Sequence, residues 1–206
     1  MEDLEVFLGE LSSESDPPLS QVRELIELHR VSQFEAILQR SEEMLGLFSD
    51  SVALQKINGL AHIGLLQLDR AIEIFDNLQV RDPECFGAYH ARARIEKLRG
   101  HHDSAIRYYQ NAISLKYDNA EAHCELGDVM TDVGFVDKGI VHYRMALQIK
   151  SDYPEALNLL GIALQDKGEF ELAIENYARA VEIQPNFAKA YNNMGSAYIR
   201  IMDLEA

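Results

Sequence analysis

Three stretches of this chain align without a gap: FGAYHARARIEKLRGHHDSAIRYYQNAISLKYDN (Phe86–Asn119), AEAHCELGDVMTDVGFVDKGIVHYRMALQIKSDY (Ala120–Tyr153) and PEALNLLGIALQDKGEFELAIENYARAVEIQPNF (Pro154–Phe187). The step is 34 residues, and it runs on to Ala188 and back to Val52 and Pro18. Residue type recurs at fixed places. The eighth place holds Gly59, Ala93, Gly127, Gly161 and Gly195, and the twentieth holds Ala71, Ala105, Gly139 and Ala173. The twenty-fourth holds Phe75, Tyr109, Tyr143 and Tyr177, and the twenty-seventh Leu78, Ala112, Ala146 and Ala180. Pro83 and Pro185 close two copies; Tyr117 and Ser151 close two others.

Each unit contains two apolar-periodic segments of about 13 residues, split by a Gly-containing turn such as Lys167-Gly168-Glu169. Ala173, Tyr177 and Ala180 are four and three residues apart, so they share a helix face. Small residues at the eighth and twentieth places let two helices approach, and the aromatic at the twenty-fourth fills the space left. A closing proline ends the second helix. One such hairpin cannot bury its apolar faces alone, so successive hairpins stack.

Leu160, Gly161, Leu164, Gly168, Phe170, Ala173, Tyr177, Ala180 and Pro185 resemble the tetratricopeptide repeat (TPR) signature, and the resemblance covers Pro18 to Ala206. It implies an all-α fold, a right-handed α-solenoid of antiparallel helix pairs with about five and a half repeats. The expected organisation is a short N-terminal helix and linker (1–17), a degenerate repeat (18–51) with Ser41 at the aromatic place, four further repeats (52–85, 86–119, 120–153, 154–187) and the first helix of another (188–206). Leu4, Phe7, Leu8 and Leu11 would share one side of the N-terminal helix, and SSESDPP reads as a linker. Asn58, Arg92 and Arg81 stand where the family usually has apolar residues, which predicts looser junctions between the second and third repeats. Gly139 in place of alanine predicts a loss of up to ~1 kcal/mol of helix stability.

Composition narrows the function. The 206 residues include 34 Asp and Glu against 19 Lys and Arg, a formal net charge of −15. Binding phosphate backbones needs clustered cations, so nucleic acid and anionic membrane surfaces are poor partners. The opening MEDLEVFLGEL reads as neither a secretory signal nor a transit peptide, and no apolar run reaches membrane-spanning length. Two cysteines in no metal-type spacing, Cys85 and Cys124, fit reduced thiols in the cytoplasm. There is no phosphate loop, nucleophile elbow or metal motif, so no catalytic, cofactor or metal residue is assigned. His101 and His102 read as solvated turn residues, and His123 as a packing residue.

The resemblance implies a concave groove lined by the first helix of each pair, holding a protein or peptide ligand. Carried over by place, the candidates are Lys56; His90, Arg94 and Lys97; Glu121, Glu125, Asp128 and Asp132; Asn158, Ile162 and Gln165; and Asn192 and Asn193. They run from basic to acidic to amide-rich, suiting a mixed-charge peptide. Stacking four acids on one helix face costs about 0.2–0.5 kcal/mol per pair, which a basic partner would relieve. The carboxylate clamp of chaperone-binding TPR domains is not matched, since Leu60 and Ala91 stand at two of its positions. Asn158, Asn192 and Asn193 resemble the start of the asparagine ladder in the TPR region of O-linked N-acetylglucosamine transferase.

Two further expectations follow. The opening repeats are similar to bacterial TPR proteins fused to glycosyltransferase or sulfotransferase domains, which implies a substrate-recruiting arm whose catalytic domain lies beyond residue 206. The unfinished last repeat leaves an apolar helix face that invites self-association with a second copy.

Overall fold

The structure is a computed structural model and describes residues 16–205; the expected helix Met1–Leu11 and most of the SSESDPP linker lie outside them. Eleven α-helices make up the described chain: α1 (Leu19–Arg30), α2 (Phe34–Leu45), α3 (Val52–Gly64), α4 (Leu68–Arg81), α5 (Phe86–Leu98), α6 (His102–Leu115), α7 (Ala120–Asp132), α8 (Val136–Ile149), α9 (Pro154–Asp166), α10 (Phe170–Ile183) and α11 (Ala188–Glu205). From α3 to α10 the pairs follow the 34-residue register read from the sequence. They form two compact units, 1–101 and 102–206.

Helix boundaries follow from local chemistry. Ser51 caps α3 by accepting the Leu54 amide at 3.3 Å, and Asn119 caps α7 by accepting the Ala122 amide at 2.7 Å. Pro154 opens α9, where its missing N–H costs nothing. The first helix of every pair stops in the same way. A residue of positive φ follows it, namely Ser32 (57°), Leu66 (57°), Gly100 (75°), Gly134 (86°) and Gly168 (79°). The next amide reaches back five residues, as from Phe135 N to Met130 O at 2.8 Å and from Gln67 N to His62 O at 2.9 Å.

The predicted large-against-small packing is present. Phe75, Tyr109, Tyr143 and Tyr177 are fully buried. A methyl added to Gly59 would sit 2.7 Å from the Phe75 ring; at Gly127, 2.9 Å from Tyr143; at Gly161, 2.5 Å from Tyr177. Gly139 belongs to the same scheme. A methyl there would sit 2.4 Å from Thr131 Cγ2 and 2.9 Å from the Gly127 carbonyl. The helix-propensity cost read from the sequence is therefore matched by a close α7–α8 contact that alanine would obstruct.

The departures from apolar consensus are bridged by polar partners, not left loose. Asn58 donates to Ser41 Oγ at 2.8 Å. Arg92 Nε lies 2.9 Å from Asp76 Oδ1, and Arg92 Nη1 lies 3.3 Å from Glu96 Oε1. Arg81 donates to Gln55 Oε1 at 3.2 Å and to the Asp50 carbonyl at 3.4 Å. His101 Nδ1 meets Glu96 Oε2 at 2.8 Å, so this turn histidine is tied to a buried carboxylate. Burying Ser41, Asn58, Arg92 and Glu96 is tolerable because each finds a hydrogen-bonding or charged partner.

Candidate functional site

In the unit 102–206, α7 carries all four acidic candidates. Glu121, Glu125 and Asp128 are half-buried and Asp132 is exposed. The fields of Glu121, Glu125 and Asp128 converge on one place. The Cys124 thiol is pushed up to about 12, first by burial, with Glu125, Asp128 and Glu121 adding to the rise and a hydrogen bond from the Tyr153 phenol opposing it. Tyr153, at the start of α9, is raised by burial and by the negative charge around it, including Glu121 and Glu125. Cys124 is thus a protonated packing residue and no nucleophile. The acidic face surrounds a buried Cys124–Tyr153 contact where α7 meets α9.

Asn158, Ile162 and Gln165 lie on the next first helix, α9. Asn158 is buried and accepts from Asn193 Nδ2 at 2.9 Å, so two of the three candidate ladder residues are bonded to each other. Gln165 accepts from the Tyr177 hydroxyl at 3.3 Å, which anchors this amide to the repeat's core aromatic. Ile162 is 37% exposed, and Asn192 is exposed on α11. Within this unit the structure brings a carboxylate face and an amide face onto successive first helices.

In the unit 1–101 the candidates are less open. Lys56 is 6% exposed, with its Cε 3.4 Å from where a Gly87 side chain would begin. His90 is 3% exposed and stacks on Phe86 at 5.4 Å. Arg94 and Lys97 are half-buried. Position in the repeat singled out these four; it did not predict that packing would take Lys56 and His90 mostly out of solvent.

His123 is a packing residue, as expected from its place. It is buried, meets Tyr117 edge-on at 5.2 Å and stacks on His142 at 5.4 Å. Its Nε2 meets the Tyr117 carbonyl at 3.0 Å and its Nδ1 meets His142 Nδ1 at 3.2 Å. Among the described residues no three His, Cys, Asp or Glu side chains gather as a metal would require, and no helix is long and apolar enough to cross a membrane.

A family model described as "TPR repeat" matches residues 93–134 and 163–201. The fold is shared with TTC0263, a thermophilic TPR protein of Thermus thermophilus, at 21% identity and a TM-score of 0.74, covering 87% of this chain and 98% of that one. It is also shared with YrrB, described as a TPR protein with an unusual peptide-binding site, at 18% identity and a TM-score of 0.61, covering 92% and 96%. The first TPR domain of Spaghetti (RPAP3), solved bound to the HSP90 peptide SRMEEVD, matches at 18% identity and a TM-score of 0.54, covering 55% and 90%. No curated protein matches the sequence. Those two stretches match TPR repeats, and the fold is all-α, of the TPR solenoid class.

Proposed function

We propose that this chain is a protein-interaction scaffold whose first-helix faces hold a partner polypeptide. The observation that supports the reading best is the pairing of faces in the unit 102–206. Carboxylates of α7 stand beside amides of α9 and α11, and Gln165 and Asn158 are held in place by Tyr177 and Asn193. Carboxylates attract a basic segment; fixed amides can bond its backbone. Two structurally similar proteins are described with peptide sites, and this chain shares their fold. The buried free thiols Cys85 and Cys124 suit a reducing, cytoplasmic setting.

The test is capture from native extract by the wild-type chain and by Glu125→Lys/Asp128→Lys. A protein held by the wild type and released by the variant is expected. Identical capture by both would overturn the acidic-face assignment.

A second reading, self-association, rests on α11. Tyr191, Tyr198 and Met202 are exposed on one face, 45%, 52% and 69% respectively. Space above Gly195 is open, whereas the equivalent Gly127 and Gly161 are covered by tyrosines. An aromatic from a second copy would fill that seat. Light scattering should show a concentration-dependent rise in mass that Tyr198→Glu removes; a constant monomer mass rules the reading out.

A further inference from the structure

A groove of about 360 Å³ opens on the opposite side of α9 from the face just described. Its floor is Leu160 and Leu164, each two residues on from Asn158 and Ile162 and so roughly 200° around the helix. Leu147 of α8 and Leu172 of α10 form its apolar walls. Arg144 and Arg179 flank it, one on each wall helix, and both are exposed. Neither guanidinium has an ion pair or hydrogen bond among the described residues.

That is unusual charge placement for this chain. Acids outnumber bases 34 to 19 overall, yet the stretch from Lys138 through Arg144 to Lys150 contains no Asp or Glu. Most arginines in the unit 1–101, such as Arg81, Arg92 and Arg99, are paired with acids of the chain itself. Two unpaired cations beside exposed leucine are chemistry left for something else. The apolar floor of Leu160 and Leu164 disfavours a hydrated phosphate and calls for a partner that brings apolar side chains with its negative charge.

We infer that this back groove docks an acidic amphipathic helix of a partner protein. Apolar side chains at i, i+4 and i+7 would lie between α8 and α10 on the leucine floor, while flanking carboxylates meet Arg144 and Arg179. The site is separate from the first-helix face, so one chain could hold two segments at once.

The experiment uses fluorescein-labelled synthetic helical peptides with one leucine stripe, flanked by Glu in the first and by Lys in the second, titrated with the full chain and read by anisotropy. The Glu peptide should bind and weaken with salt. Arg144→Glu/Arg179→Glu should weaken it at least tenfold and improve the Lys peptide. The milder Arg144→Gln/Arg179→Gln should fall between, and Ile162→Glu on the opposite face should change nothing. Failure of the Glu peptide to bind, Glu-peptide binding that the arginine variants leave unchanged, or loss through Ile162→Glu alone would overturn the assignment. So would arginine-dependent binding of phosphatidylserine vesicles without binding of the Glu peptide. A concave-face partner captured normally by the arginine variants would leave the scaffold reading intact.

Discussion

Asn58 Nδ2 donates a 2.8 Å hydrogen bond to Ser41 Oγ inside the unit 1–101, joining two buried side chains that each replace a residue the repeat usually makes apolar. The serine also donates to the Leu38 carbonyl at 3.2 Å. The two halves of this pair are unequal. Ser41→Ala strands a buried amide and should cost about 1–3 kcal/mol. Asn58→Leu leaves the serine its carbonyl partner and should cost less. A double-mutant cycle by urea unfolding should therefore give a favourable coupling between the wild-type residues. Additive single changes would show that the bond contributes nothing.

Gly139→Ala reverses the usual expectation for a helix glycine. Propensity alone predicts a gain of up to ~1 kcal/mol. The contacts at Thr131 Cγ2 and the Gly127 carbonyl predict instead a loss of about 1–3 kcal/mol from overpacking between α7 and α8. Thr131→Ala removes the nearer obstacle and should recover part of that loss in the double variant. A thermal midpoint that rises in Gly139→Ala would show that the helices part easily.

The fold was legible because its packing is periodic. Gly161 under Tyr177 and Gly127 under Tyr143 repeat one large-against-small solution, so the alignment exposes it directly. Compensations are not periodic. Asn58 and Ser41, or Arg92 and Asp76, each look like a defect until both partners are seen across a helix interface. Place in the repeat put the four carboxylates on α7, but burial of Lys56 and His90 depends on neighbouring side chains. The back groove was missed because three helices build it. Its one sequence signal is the acid-free run from Lys138 to Lys150.

Leu66 and Ser32 hold the left-handed turn that Gly100, Gly134 and Gly168 hold in other repeats. A side chain in that conformation costs ~1–2 kcal/mol, partly offset by the entropy glycine adds to the unfolded chain. Leu66 is 69% exposed, so its removal gives up little packing. Leu66→Gly should stabilise the protein by up to ~1 kcal/mol. Gly134→Ala should destabilise it by a similar amount, although its methyl would meet no neighbour. Chemical denaturation of both variants checks the pair; opposite signs are required.

Acid should loosen the unit 102–206 through His123 and His142. Burial lowers the pKa of each below the ordinary 6.5; the Tyr117 carbonyl partly opposes this for His123, and His123 adds to it for His142. The folded state therefore binds fewer protons than the unfolded state once pH falls below about 6.5. Stability from the neutral pair is complete above that pH and declines as pH drops through the lowered values. His29 in the other unit is lowered too, by burial and then by Arg94, so the whole chain will show some acid sensitivity. His123→Phe keeps an aromatic ring at that place and removes one of the titrating rings. The loss of urea midpoint between pH 7.5 and pH 5.5 should shrink in this variant relative to wild type, with His29→Gln measuring the remainder. An unchanged pH dependence in His123→Phe would mean that the histidine pair is already accommodated in its charged form.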